Sequence, residues 1–127
     1  MLGTHALDDL GRRGTELLLN GYSATTHWAY HDLLGRCGAL PVRQRVVVDR
    51  NRITAGGVTS GIDFGLRLAA EMYGEQVARA IQLGIEYDPA PPFDSGSPER
   101  ASPELIQLVR ERLASSWREY AARLPEG

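Results

Sequence analysis

The chain has 127 residues and a formal net charge of -2, from 14 basic and 16 acidic side chains, so its charge recommends neither a nucleic-acid nor an anionic-membrane surface. With 43% hydrophobic and 24% charged residues it has the composition of one ordinary globular domain, and apolar runs such as Leu17–Leu19 are far too short to cross a bilayer. The single cysteine, Cys37, excludes an internal disulfide and fits a reducing cytoplasm. No His/Cys cluster has the spacing of a zinc site, so no metal is expected.

Met1–Leu10 carries acids and no apolar core, unlike a signal peptide. Residues 1–16 are weakly patterned, with Gly3, Gly11 and Gly14 interrupting any helix. Asn20-Gly21 is a turn signal, and the aromatic and β-branched run Tyr22–Thr26 reads as a strand. A short helix over Ala29–Leu34 should stop at Gly35. Arg45–Asp49 and Ile53–Ala55, separated by the polar Arg50-Asn51, read as a hairpin.

Gly56-Gly57 then leads into a helix for which Ser60 is a plausible N-cap and Asp63 a structural cap, three residues on, as in a capping box. Ile62, Leu66, Ala69, Ala70 and Tyr73 line one face of it, and Phe64, Leu68 and Met72 a second. That helix should therefore be buried, with Gly74 as its stop. A second helix, Glu75–Leu83, has a narrow stripe of Val77, Ala80 and Ile81 and should lie on the surface. Between Asp88 and Pro98 four prolines fall in eleven residues, so 88–101 is an extended connector. Ser102-Pro103-Glu104 opens the last helix, 102–124, as N-cap, N1 proline and first-turn acid. Leu105, Val109, Leu113, Trp117, Tyr120 and Leu124 form its apolar stripe, which must dock on its own domain or on a partner. Its Arg110, Arg112, Arg118 and Arg123 alternate with Glu111 and Glu119, a mixed solvated face.

Two stretches carry a family resemblance. One is Leu18-Leu19-Asn20-Gly21-Tyr22-Ser23-Ala24-Thr25-Thr26-His27-Trp28. The other runs from Arg45-Val46-Val47-Val48-Asp49 through Ala55-Gly56-Gly57-Val58-Thr59-Ser60-Gly61-Ile62-Asp63-Phe64. Both resemble the C-terminal half of isonitrile hydratase-like proteins. These form part of the PfpI branch of the class I glutamine amidotransferase-like superfamily, which also includes the Parkinsonism-associated deglycase. Ile81–Pro89, Pro91–Asp94 and Gly96-Ser97-Pro98 extend the likeness, so it covers roughly 17–98, with 17–87 as the α/β core. It implies a partial flavodoxin-like, doubly wound α/β sandwich with a long terminal helix added.

The resemblance also implies a chemistry. A cysteine on a strand-to-helix elbow attacks an isocyanide carbon, and water completes hydration to an N-substituted formamide, without cofactor or metal. A helix N-terminus lowers such a thiol's pKa. The stretch before Leu17, where Cys-Thr-Gly is expected, reads Gly3-Thr4-His5-Ala6-Leu7-Asp8-Asp9-Leu10-Gly11-Arg12-Arg13-Gly14, with no cysteine. Cys37 sits in a loop before Pro41 and aligns with no nucleophile. The expectation is a truncated, lyase-like chain, inactive on its own.

By the resemblance His27 matches a histidine near the nucleophile, at a strand end where such sheets bind ligands. Its other reading is a histidine paired with local backbone. Thr25 and Thr26 are either pocket hydroxyls or ordinary strand residues. Gly57, Thr59 and Ser60 are either an anion or oxyanion wall at a helix N-terminus or simply a tight turn. His5 and His31 have no partners at meaningful spacing. A half-sandwich leaves the Ile62–Tyr73 helix short of cover, so the chain should form a homodimer, pair with a complementary first-half chain, or be only marginally stable. The alternative to the isocyanide-hydrating reading is a non-catalytic interaction remnant. A sensor domain of an AraC-type regulator is disfavoured, since one long helix replaces the two helix-turn-helix units such proteins carry.

Overall fold

The structure, a computed structural model, describes residues 18–126. The expectations for 1–17, His5 included, lie outside the described residues. Gly21 makes the Asn20-Gly21 turn at φ 75°, and β1 (Ser23–Ala24) follows. The ladder is shorter than the expected Tyr22–Thr26 because the Thr25 N–H turns away, donating to the Thr54 hydroxyl at 3.0 Å. β2 (Leu40–Pro41), which has no strand pattern of its own, pairs parallel to β1 with Ser23 opposite Leu40. Pro41 has no N–H to give, and Val42 N–H continues the pairing to the Ala24 carbonyl at 2.9 Å.

Between β1 and β2 a 3-10 helix spans Trp28–Cys37. It passes through the expected stop at Gly35 and ends at Gly38, which takes the left-handed conformation at φ 72° and returns its N–H to the Gly35 carbonyl at 3.1 Å. Left-handed backbone suits glycine because no Cβ clashes there. Cys37 is thus the last residue of a helix rather than part of a loop, and it is 1% exposed.

β3 (Val46–Asp49) and β4 (Arg52–Ala55) form the expected antiparallel hairpin, with Asp49 opposite Arg52. Arg50 turns the corner at φ 52°. The hairpin lies beside β1 through side chains: besides the Thr54 bond, Asp49 accepts the Ser23 N–H at 2.7 Å. That bond is not the main influence on Asp49, whose carboxyl is held below its ordinary pKa first by Arg50 and then by the Ser23 N–H.

α1 (Gly61–Tyr73) and α2 (Glu75–Gly84) follow, separated by Gly74 at φ 93°. Two expectations fail at α1. Ser60 makes no side-chain cap; its hydroxyl instead donates to the Gly57 carbonyl at 2.6 Å, within a 3-10 turn over Val58–Ser60. Asp63 is no cap either, because its carboxylate takes Arg45 Nε on one oxygen and the Tyr87 hydroxyl on the other. Nor is α1 buried: it contributes no buried residue, and Met72 is 60% exposed. The main neighbours of α1 among the described residues are the hairpin and α2.

After the irregular 88–101 stretch, α3 (Pro103–Arg123) starts as expected, with the Ser102 hydroxyl accepting the Leu105 N–H at 3.3 Å. Its last turns dock on the chain's own 3-10 helix. Tyr120 meets Tyr30 edge-on at 5.3 Å, Trp117 Nε1 donates to Asp32 at 3.1 Å, and Arg36 donates to the Ala121 carbonyl at 3.3 Å. The core gathers here: Ala24, Tyr30, Leu33, Leu34, Cys37 and Leu124, with Trp117 and Tyr120 packed against them.

Candidate functional site

β1 ends by delivering Thr25, Thr26 and His27 in succession to the start of the 3-10 helix. Thr25 and Thr26 are buried. The Thr26 hydroxyl is enclosed with no hydrogen-bond partner among the described residues, an unsatisfied group of a kind that is uncommon in folded proteins.

His27 is the helix N-cap, and its Nδ1 accepts the Ala29 N–H at 3.2 Å. An accepting Nδ1 leaves the neutral ring's proton on Nε2, so the free edge is a donor. Half-burial pushes the imidazole below its ordinary pKa, favouring that neutral form.

Beside this strand end lies the turn after β4. A side chain at Gly57 would bring its Cβ to 3.2 Å from His27 Cδ2, so glycine there permits a close approach of turn and imidazole. Ser60 is buried beneath the turn. Thr59 faces Arg45, whose Nη2 donates to its carbonyl at 2.9 Å.

Between these parts and the connector opens a cleft of about 330 Å³. Of the sequence candidates, Thr25, Thr26 and Gly57 line it, while His27, Thr59 and Ser60 are not among its lining residues. His27 still touches the site through Gly57. Sequence reasoning missed other lining groups: Trp28, His31, Arg43, Arg45, Glu99 and Arg110. His31 binds the Val42 carbonyl with Nε2 at 3.1 Å, a long-range partner that spacing could not reveal. Arg43-Gln44-Arg45, two cations just before a strand, was a usable signal; Arg110 on a mixed helix face was not.

Two of the three arginines are engaged. Arg43 pairs with Glu99 at 3.5 Å and Arg45 with Asp63. Tyr87 completes the second pair, and its hydrogen bond to Asp63 holds the phenol above its usual pKa. The Glu99 carboxyl is held below its ordinary range by its own backbone N–H and the Ser97 hydroxyl, with Arg43 adding to this, so it is ionised at neutral pH.

Cys37 is absent from this cleft. It closes the C-terminal end of its helix, with Sγ 3.7 Å from the Leu33 carbonyl. A helix C-terminus is not a position that favours a thiolate. Among the described residues, no group of three or more His, Cys, Asp or Glu is placed to hold a metal ion. None of their helices is long and apolar enough to cross a membrane.

No family model matches the chain. Over 103 residues it is 55% identical to the isonitrile hydratase of Pseudomonas putida, a match covering 81% of this chain and 45% of that protein. The crystal structure of a THiJ/PfpI family protein from Pseudomonas syringae superposes with a TM-score of 0.79 at 42% identity, covering 87% of this chain and 48% of that one. The chain thus spans about half the length of both relatives.

Proposed function

For a chain that is isonitrile hydratase-like in sequence and shares the PfpI α/β fold in part, we propose that it forms the strand-end half of an isocyanide-hydrating site. In the proposed reaction a thiolate adds to the terminal carbon of the isocyanide while that carbon takes up a proton. Water then attacks the resulting thioimidate, the thiol leaves, and the N-substituted formamide is released. The observation that carries the reading is the juxtaposition of Thr25-Thr26-His27 with Gly56-Gly57, in a chain so close in sequence to a hydratase.

Each role is proposed from the chemistry and position of its group. His27, fixed by Ala29 N–H, is suited to donate from Nε2 and thus to position water or polarise the adduct nitrogen. Thr25, Thr26 and Gly57 form the wall against which a small isocyanide rests, with Thr59 and Ser60 holding the turn behind it. Cys37 supplies no nucleophile, so the reaction takes its thiol from outside this sequence. No metal or cofactor takes part, and the reducing compartment that suits a thiol enzyme is the cytoplasm.

The test is incubation of the purified chain with an alkyl isocyanide, following the formamide. The expected result is no turnover by this polypeptide alone, with activity appearing when a first-half chain bearing the elbow cysteine is added and disappearing with His27→Ala. Turnover by the chain alone that survives Cys37→Ser would refute the reading.

A second reading is favoured by the apolar side chains displayed on α1 and α2, among them Leu68, Met72, Val77 and Ile81. On this reading the chain is an interaction module that forms a homodimer or binds a complementary chain without catalysis. It predicts the same association but no formamide from any mixture.

A further inference from the structure

Arg110 is the one cleft arginine that forms no ion pair among the described residues. Its guanidinium lies over the Trp28 ring, 5.4 Å from the centroid. A cation–π contact of this kind restrains the guanidinium, and its planar N–H fork suits a carboxylate. The cleft's other fixed charges nearly cancel, because Arg43 answers Glu99 and Arg45 answers Asp63. Arg110 therefore leaves the cleft with a surplus positive charge.

A second hollow of about 120 Å³ adjoins the first, sharing the walls made by Trp28 and Gly96-Ser97-Pro98. Its remaining lining is Ser95 and the apolar Ala101, Leu105, Ile106 and Val109, the last three on α3. One aromatic ring thus separates a cationic compartment from a greasy one. That pairing suits an amphipathic small molecule better than an inorganic anion, which has nothing to place in the second hollow.

We propose that this double hollow binds a small carboxylate with an apolar tail, the carboxylate on Arg110 and the tail between Trp28 and α3. The inference goes beyond isocyanide hydration and does not depend on turnover. It concerns which molecules the chain holds, with or without a reaction.

The experiment compares hexanoate with hexanamide on the full chain, by calorimetry and by tryptophan fluorescence. The two share a tail and differ in the head group, an anionic acceptor in one and a neutral amide in the other. Hexanoate is expected to bind saturably, with hexanamide and inorganic phosphate each weaker by about tenfold or more. Arg110→Gln should remove that preference, whereas Arg118→Gln, the same change on the same helix outside the cleft, should leave it intact. Circular dichroism checks that both variants remain folded. Equal binding of acid and amide, phosphate binding as tightly as hexanoate, no hexanoate binding by the folded chain, or loss caused equally by both variants would each overturn the proposal. Failure of isocyanide turnover bears on the hydratase reading alone, since none of these measurements uses a reaction.

Discussion

His27 and Thr26 show what a single position contributes at this strand end. The neutral His27 ring takes the Ala29 N–H, and half-burial keeps its pKa below the ordinary 6.5. A base with a lowered folded pKa stabilises the fold above its unfolded value, and that contribution is lost as pH falls through the folded value. Thermal unfolding should therefore show stability declining as the pH falls below about 6.5. His27→Asn, which can still cap but does not titrate, should flatten the decline in that window; an unchanged profile would assign it to other groups. For Thr26 the sign is opposite. Its enclosed hydroxyl has no partner among the described residues, so Thr26→Val should raise stability by about 1 kcal/mol in urea unfolding.

The 3-10 helix depends on its terminator. Gly38 holds φ 72°, and a Cβ there would also lie 2.5 Å from Asn20 Oδ1. The Asn20 side chain can swing away but the backbone strain remains, so Gly38→Ala should cost about 1–2 kcal/mol of unfolding free energy. Gly35→Ala, with open space around it, should cost less. This pair also marks what could be read from residues alone. Hairpin, helix order, proline-rich connector and the Ser102-Pro103 start were legible because they rest on local chemistry. Which of two nearby glycines ends a helix depends on the parallel partner β2, which has no local signature. Asp63 was misread for a related reason: its spacing from Ser60 fits a cap, but Arg45 and Tyr87, eighteen and twenty-four positions away, claim its carboxylate. At the candidate site, Thr25, Thr26 and Gly57 were reachable through resemblance, whereas Arg110 and Glu99 enter only when α3 and the connector fold back.

Taken as a whole, the molecule has an uneven interior. Its core lies between the 3-10 helix and the end of α3, while α1 and α2 hold only Ala78 buried between them. Met72 at 60% exposure and Ile81 at 41% are more than isolated surface hydrophobes. Covering one such side chain is worth roughly 1.5–3 kcal/mol, enough in combination to drive association. Analytical ultracentrifugation should find the chain self-associated at concentrations of about tens of micromolar, and Met72→Glu with Ile81→Glu should return it to a monomer. A monomeric wild type at those concentrations would mean that this face is tolerated bare.

The docking of α3 has one more consequence. Tyr120 on Tyr30, Trp117 on Asp32 and Arg36 on Ala121 join the tail helix to the body without help from the backbone between them. A single tryptic nick after the exposed Arg100 would therefore leave two peptides that co-migrate on a native gel and separate only in denaturant.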